Sequence, residues 1–507
     1  MEHRLYWNNY KYYPYEKEFA LKEVQVLINP ERIIEDELED YITIITKESL
    51  NQITIDKLTY FKKVETNNAT IIPKQTKIEK INGDLESKRQ STRYSAHGLH
   101  EYKGKFNPQV VRTLINRFSF LEGDNIIDPF SGSGTTMLES AFQNINCIGL
   151  DINPLAVYIA NAKQTAVNRN YQDIKVMGDY VINDFEENYQ LELMLENILS
   201  DDSERMDYLK KWFPLETLSE IEYLKDIIEK SCGDLQSIFL VLLSNNIRDY
   251  SLQEPADLRV RRRKSPFPIK SLIDEFKKSI VVLVEKLEHS NEIIGTIANK
   301  NKAFLGDSRF VKSEYTITEN YFDGGITSPP YATALPYIDT QRLSLVWLNL
   351  ISPTEIRPLE GDLIGSREFK KSVKDDWERR LLENSSNIPI KQYNFCVTLL
   401  NSLGENDGFR RQAVPSLLYR YLSDMQEMFK NLLPYFKEDA PFALIVGHNH
   451  TVLNGKRFDI DTPDLLVDLA KNAGWQHLKS EDLQVYKRFG LHQKNAVAHE
   501  SLIILYK

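Results

Sequence analysis

From Asn125 to Lys163 the chain reads NIIDPFSGSGTTMLESAFQNINCIGLDINPLAVYIANAK. A short apolar run, NIID, ends in an acid. The loop PFSGSGTT follows, then MLESAFQN with helical character, the second apolar run NCIGLDI, and NPLAVYIANAK, which opens on the helix-entry pair Asn-Pro. Strand, glycine loop, helix, strand and helix in so short a span predict an α/β unit with parallel strands. In such sheets ligands bind outside the carboxyl ends of the strands. The chemistry is therefore expected at the loop after NIID and at Asp151, which ends the second strand.

The loop excludes two familiar ligand classes. A dinucleotide loop needs a third glycine three residues past the second, and Met137 stands there. A nucleotide phosphate loop needs Gly-Lys-Ser/Thr, and DPFSGSGTT holds no lysine. Gly132 and Gly134 carry no Cβ, so a ligand can press against the backbone. Asp128 is placed to accept a hydrogen bond from an ammonium group. Asp151 holds the position from which α/β folds bind the two hydroxyls of a ribose. A ligand with an amino group, a ribose and no phosphate is S-adenosylmethionine.

At 507 residues the chain exceeds one typical domain. Residues 1–90 are expected to form an N-terminal extension: aromatic at first, helical through ERIIEDELEDYITII, then a polar connector over 62–94. Residues 91–165 form the cofactor half of the core. Residues 166–300 show helical spacing and form a large insertion. The α/β pattern resumes over 301–350, breaks in a polar, irregular insertion over 351–415, and closes over 416–507. No apolar run approaches the ~20 residues of a membrane span, and MEHRLYWNNYKYYPY lacks a secretory core. A cytoplasmic protein is expected. Cys147, Cys232 and Cys396 fit neither a disulfide framework nor zinc spacing, so no metal is expected. The net charge is −10, yet Arg259, Arg261, Arg262, Arg263 and Lys264 cluster inside the helical insertion as a candidate phosphate-contacting strip.

A second candidate site is TSPPY, after the apolar segment YFDGGI. Two prolines fix φ twice and leave carbonyl acceptors without N–H donors. Ser328 adds a hydroxyl and Tyr331 a flat ring. Ser328 and the carbonyl of Pro329, held rigid by Pro330, can take two hydrogen bonds from one exocyclic amino group while Tyr331 stacks on the ring that bears it. Acceptors aimed at such an amine orient its attack on a methyl sulfonium. Methylation of a ring carbon would need a nucleophilic cysteine, typically beside a proline, and none of the three has one.

With these motifs in hand, the chain resembles the amino-methylating DNA methyltransferases, which modify adenine N6 or cytosine N4. DPFSGSGTT is similar to their cofactor loop and TSPPY to their catalytic motif; the serine form resembles the cytosine-N4 branch. HGLHEYKGKFNPQVV (97–111) resembles the segment that packs on the methionine end of the cofactor, which implies roles for Lys105 and Phe106. GDS (306–308) resembles the strand end at the adenine ring, through Asp307. The resemblance implies a Rossmann-like methyltransferase sheet and cofactor contacts from Asp128, Phe130, Ser131, Gly132, Gly134, Thr135 and Asp151. It also implies double-stranded DNA as substrate, a flipped base, and a setting in restriction-modification or related defence, with any endonuclease a separate chain. An adenine-N6 enzyme, an RNA guanosine-N2 methyltransferase and a non-catalytic DNA-binding subunit are the competing readings.

Overall fold

The computed structural model describes all residues except 37, 68, 82, 84, 258–259, 311–316, 333–337, 368–370 and 485–498. Its N-terminal part is an antiparallel sheet of β1 (Glu2–Trp7), β2 (Arg32–Glu35), β3 (Tyr41–Ile45), β4 (Phe61–Glu65) and β5 (Thr70–Ile71), in the order β2-β3-β1-β4-β5. The segment expected to be a helix, 31–45, is instead β2 and β3. Its isoleucines are β-branched and its burial alternates: Ile42 and Ile44 are inside while Tyr41, Thr43 and Ile45 are half-exposed. That is the period of a strand with one face covered. The expected connector likewise holds β4, β5 and the helix Lys74–Glu79.

The central sheet uses β6 (Asn125–Asp128), β7 (Asn146–Asp151), β8 (Lys302–Leu305), β9 (Gly324–Thr327) and β10 (Pro441–Gly447). A ribbon of β11 (Asn449–Leu453) and β12 (Lys456–Ile460) follows, and β13 (Gln476–Gln484) and β14 (His499–Tyr506) complete the sheet. Its order is β13-β14-β10-β9-β6-β7-β8. The five strands from β10 to β8 are mutually parallel; β14 adds antiparallel to β10, and β13 antiparallel to β14. The chain runs outward from β6 through β7 to β8, then returns to place β9 on the other flank of β6. The loops after β6 and β9 thus leave the sheet side by side, where strand order reverses.

Strand residues alternate between two cores. Ile127, Phe442, Leu444 and Val446 pack with the helices Val414–Leu432 and Thr462–Asn472. Ile126, Ile326, Ala443 and Ile445 share a core with Leu5, Phe19 and Val64 of the N-terminal part. The N-terminal part therefore shares a core with one face of the central sheet.

The first insertion is helical, as its periodicity predicts, from Tyr171–Asn188 to Leu272–Ile294. The second, expected to be irregular, contains the helices Ile356–Asp362, Lys371–Glu383, Ile390–Asn401 and Phe409–Gln412. Its buried apolar positions, Ile356, Ile364, Leu381, Ile388, Cys396, Leu399 and Ala413, are spread through a polar background, so no strong apolar stripe shows in the sequence. Among the described residues no helix is long and apolar enough to cross a membrane, and no cluster of side chains is arranged to hold a metal ion.

Candidate active site

A cleft of about 970 Å³ opens at the carboxyl edge of the sheet, above β6, β7, β8 and β9. Lys105, Phe106, Phe130, Gly132, Asp151, Asp307, Ser328, Pro329, Pro330 and Tyr331 all line it. Two motifs nearly 200 residues apart in sequence thus meet around one space.

Asp128 makes the join. Its carboxylate accepts from the Phe130 N–H at 3.1 Å, the Thr136 hydroxyl at 2.6 Å and the Thr327 hydroxyl at 2.6 Å. Thr327 is the first residue of TSPPY, so one buried carboxylate ties the glycine loop to the TSPPY loop. Burial pushes this carboxyl up to about 6, and the three hydrogen bonds oppose that rise. The expected contact of Asp128 with a ligand ammonium is not what the geometry gives, because the residue is 2 % exposed and lies beneath the cleft. Ser131, Gly134 and Thr135, also expected at the ligand, lie beneath the cleft lining too. Ser131 and Thr135 are buried. Gly134 caps the helix Thr135–Ala141 at φ 77°, and a Cβ there would stand 2.7 Å from the Ala160 methyl. That glycine permits two helices to approach.

Gly132 is different. It lies on the cleft at φ 48°, and its N–H donates to Asp151 at 2.9 Å. Asp151 also accepts from the Asn153 N–H at 2.9 Å. The residue keeps an edge on the cleft, but its carboxylate is enclosed enough for burial to push it up to about 6. Two N–H groups hold it in place, and its remaining lone pairs suit a vicinal diol.

The Lys105 ammonium donates to the carbonyls of Thr92 at 2.8 Å and His97 at 3.1 Å. Burial, with the charge of Arg93, brings it down to about 7. A cation held by neutral carbonyls at the wall of a cleft fits a ligand carboxylate. At the other flank Asp307 is clasped by Arg309, with the shortest bond at 2.6 Å, and Arg309 is anchored in turn on Asp424 at 2.9 Å.

In the TSPPY loop the Ser328 hydroxyl donates to the carbonyl of Ile445 at 3.2 Å. Its proton is thereby directed into the protein, and its lone pairs are left as acceptors. The Tyr331 hydroxyl donates to Glu500 at 2.7 Å, and its ring packs over Gly447. Gly447 and Glu500 are register partners on β10 and β14, so adjacent strands fix both the face and the tip of the ring.

A family model described as a DNA methylase matches residues 6–162 of this chain. The match spans the glycine loop and reaches into the N-terminal sheet. The chain is 24% identical over 446 residues to the Type II methyltransferase M.BsoBI of Geobacillus stearothermophilus, covering 81% of this chain and 84% of that one. It is also 24% identical over 456 residues to the Type II methyltransferase M.MvaI of Kocuria varians, covering 85% and 89%. The crystal structure of TrmN from Thermus thermophilus aligns over 100% of this chain and 99% of its own, with a TM-score of 0.33 and 9% identity, too low to add to the fold argument. The chain is thus similar to DNA methylases over residues 6–162 and to Type II methyltransferases over most of its length.

The basic strip expected to contact phosphates has a different meaning in the structure. Arg259 lies outside the described residues. Arg261 pairs with Asp257 at 3.1 Å, and Arg262 sits 4.7 Å over the Trp212 ring. Arg263 donates to the carbonyls of Asp249, Ser251, Ser265 and Pro266 at 2.6 to 3.1 Å. It is a staple of its own loop. Lys264 remains exposed. None of the described four lines the cleft.

Sequence reasoning missed other cleft residues. Tyr13 and Tyr15, from the N-terminal part, line it with rings stacked at 5.7 Å and 10°. The charge of Glu500 adds to burial and to Glu16 in pushing the Tyr15 hydroxyl up. The aromatic density of YYPY was the available signal, but nothing local tells that it folds back on TSPPY.

Proposed function

We propose that this methyltransferase transfers a methyl group from S-adenosylmethionine to the exocyclic amino group of a base flipped out of duplex DNA, cytosine N4 being the target, within restriction-modification or related defence. The observation that carries the reading is the Asp128 junction. Through Thr136 and Thr327 it sets a cofactor loop and a Ser-Pro-Pro-Tyr loop on one cleft, where the sheet reverses order. The two Type II methyltransferase relatives support DNA and the restriction setting.

The residues fit the cofactor. Asp151 would take the ribose hydroxyls, Lys105 the carboxylate, and Asp307 the adenine edge. The bound cofactor supplies an electrophilic methyl on a positively charged sulfur. Ser328 and the Pro329 carbonyl would accept hydrogen bonds from the two amino N–H groups and so turn the nitrogen lone pair toward that methyl, and Tyr331 would hold the ring plane. On transfer of that methyl the amine would carry one surplus proton, which these acceptors would pass to solvent.

No covalent intermediate is needed. Cys147, Cys232 and Cys396 are all buried, and burial pushes each thiol up, away from thiolate character. The acceptor chemistry of Ser328 supports an amino target; the serine of the motif is what favours cytosine over adenine N6.

Labelled methyl should pass from the cofactor to duplex DNA and not to transfer RNA. Ser328→Ala and Tyr331→Ala should each lower turnover while cofactor affinity is kept. Preferential labelling of RNA would overturn the reading.

A further inference from the structure

The loop 248–270 shows an apolar tip rather than a row of free arginines. Arg263 is turned inward on four carbonyls, and its guanidinium lies 4.4 Å from the Phe267 ring centroid. At the far end the Tyr250 hydroxyl donates to the carbonyls of Lys270 at 2.9 Å and Ser271 at 3.1 Å. Between these two fastenings Pro266-Phe267-Pro268-Ile269 stands in solvent. Phe267 is 45% exposed and Ile269 fully exposed. Single exposed apolar residues need no explanation. Four in a row, with two prolines that fix φ and the base of the loop stapled, are a rigid projection that loses little conformational freedom on docking.

The loop stands beside the active-site cleft. The Gln253 amide donates to the carbonyl of Asp339 at 3.5 Å, next to the cleft residue Ile338. Asn245, close to the start of the loop, accepts from the N–H of Glu101 on the cleft wall at 2.7 Å. The exposed Lys264 and Lys270 flank the tip. Of the acids of the same loop, Glu254 accepts from the Lys264 and Ser265 N–H groups and Asp257 pairs with Arg261, while Asp249 is exposed with its backbone carbonyl taken by Arg263. The tip is thus apolar and its rim cationic.

We propose that Phe267 and Ile269 form a wedge that enters a groove of the duplex beside the target base, with Lys264 and Lys270 on the flanking phosphates. The proposal rests on the DNA reading above and adds to it the surface that opens the stack. Apolar side chains pushed between base steps partly unstack them, and a base must leave the stack before its amino group can reach Ser328.

The three native cysteines are buried, so Ile269→Cys in the full chain can be labelled selectively with a fluorophore. Sheared duplex DNA is added, binding is followed separately by gel shift, and access to the dye is read by acrylamide quenching. Protection of the dye by several-fold in the bound state is expected. In parallel, Ile269→Ser, and Phe267→Ser with Ile269→Ser, should weaken binding by about tenfold with an unchanged salt slope, since an apolar contact releases no counterions. Lys264→Glu with Lys270→Glu should instead flatten the slope. DNA bound with the dye as accessible as in the free protein overturns the wedge and leaves the DNA reading standing. No DNA bound by the wild-type chain overturns both. Dye protection that rises with protein concentration and needs no DNA assigns the tip to a second copy and overturns the proposal.

Discussion

Gly447→Ala tests how the catalytic ring is held, from a residue that sits on a strand and outside every motif. A Cβ at Gly447 would lie 2.7 Å from Cε2 of Tyr331 and 3.1 Å from Cδ2 and Cζ. Comfortable carbon contacts begin at about 3.5 Å, so the ring must retreat by roughly 1 Å. It is not free to do so, because its hydroxyl is tied to Glu500 at 2.7 Å. Either that bond breaks, at a cost of about 1.5 kcal/mol for a charged acceptor, or the ring tilts away from the base. A misplacement of about 1 Å in a positioning group costs up to about 100-fold in rate. We expect kcat to fall by about 10- to 100-fold, within that range. Cofactor affinity should be retained, because Asp151 and Lys105 are untouched. Initial rates with labelled cofactor and DNA give the first quantity, and calorimetry the second. Gly447→Ala combined with Tyr331→Ala should be no slower than Tyr331→Ala alone, since the two changes act through one ring. A Gly447→Ala enzyme with wild-type kcat would refute the reasoning.

Three further outcomes follow from the same geometry. Lys105 is brought down to about 7 by burial and the charge of Arg93, and a ligand carboxylate favours its ammonium form. Cofactor binding above pH 7 should therefore take up a proton and weaken by up to about tenfold per pH unit. Calorimetry in buffers of different ionisation enthalpy reads this, and Lys105→Met should abolish both effects. Asp151→Asn keeps the shape but loses charge-assisted acceptance, and should raise the cofactor Kd by about 30-fold, equivalent to about 2 kcal/mol. Gly134→Ala meets Ala160 at 2.7 Å and forces an alanine to φ 77°; we expect about 3 kcal/mol of lost stability by denaturant titration, from left-handed strain and overpacking.

The glycine loop and TSPPY were legible because each is a local run whose chemistry lies in consecutive residues. The parallel strands around them were legible for the same reason. Where the site is made by distant partners, local reading stopped short. Asp128 looked like a ligand contact because its strand-end position is right. Its partner Thr327 lies far along the chain, and only the fold shows the carboxylate covered. Arg263 looked like a surface charge because arginine usually is one; four backbone carbonyls, invisible to composition, turn it inward. The hairpin of β2 and β3 was missed because ERIIEDELEDYITII satisfies helical spacing and strand alternation together. Tertiary packing of Ile42 and Ile44 against the N-terminal core decides it. Tyr13 and Tyr15 show the same limit, since a shared core is what brings the N-terminal sheet to the cleft.

The central claim is that the acceptors of the Ser-Pro-Pro-Tyr loop direct methyl transfer to an exocyclic amine of DNA, that of cytosine. DNA incubated with the enzyme and isotopically labelled cofactor is digested to nucleosides, and the labelled nucleoside is identified by mass and retention. Labelled N4-methylcytosine is expected, and it should vanish with Ser328→Ala. N6-methyladenine would keep the amino chemistry and contradict the choice of base. 5-Methylcytosine, or no labelled nucleoside from DNA, would contradict the account itself.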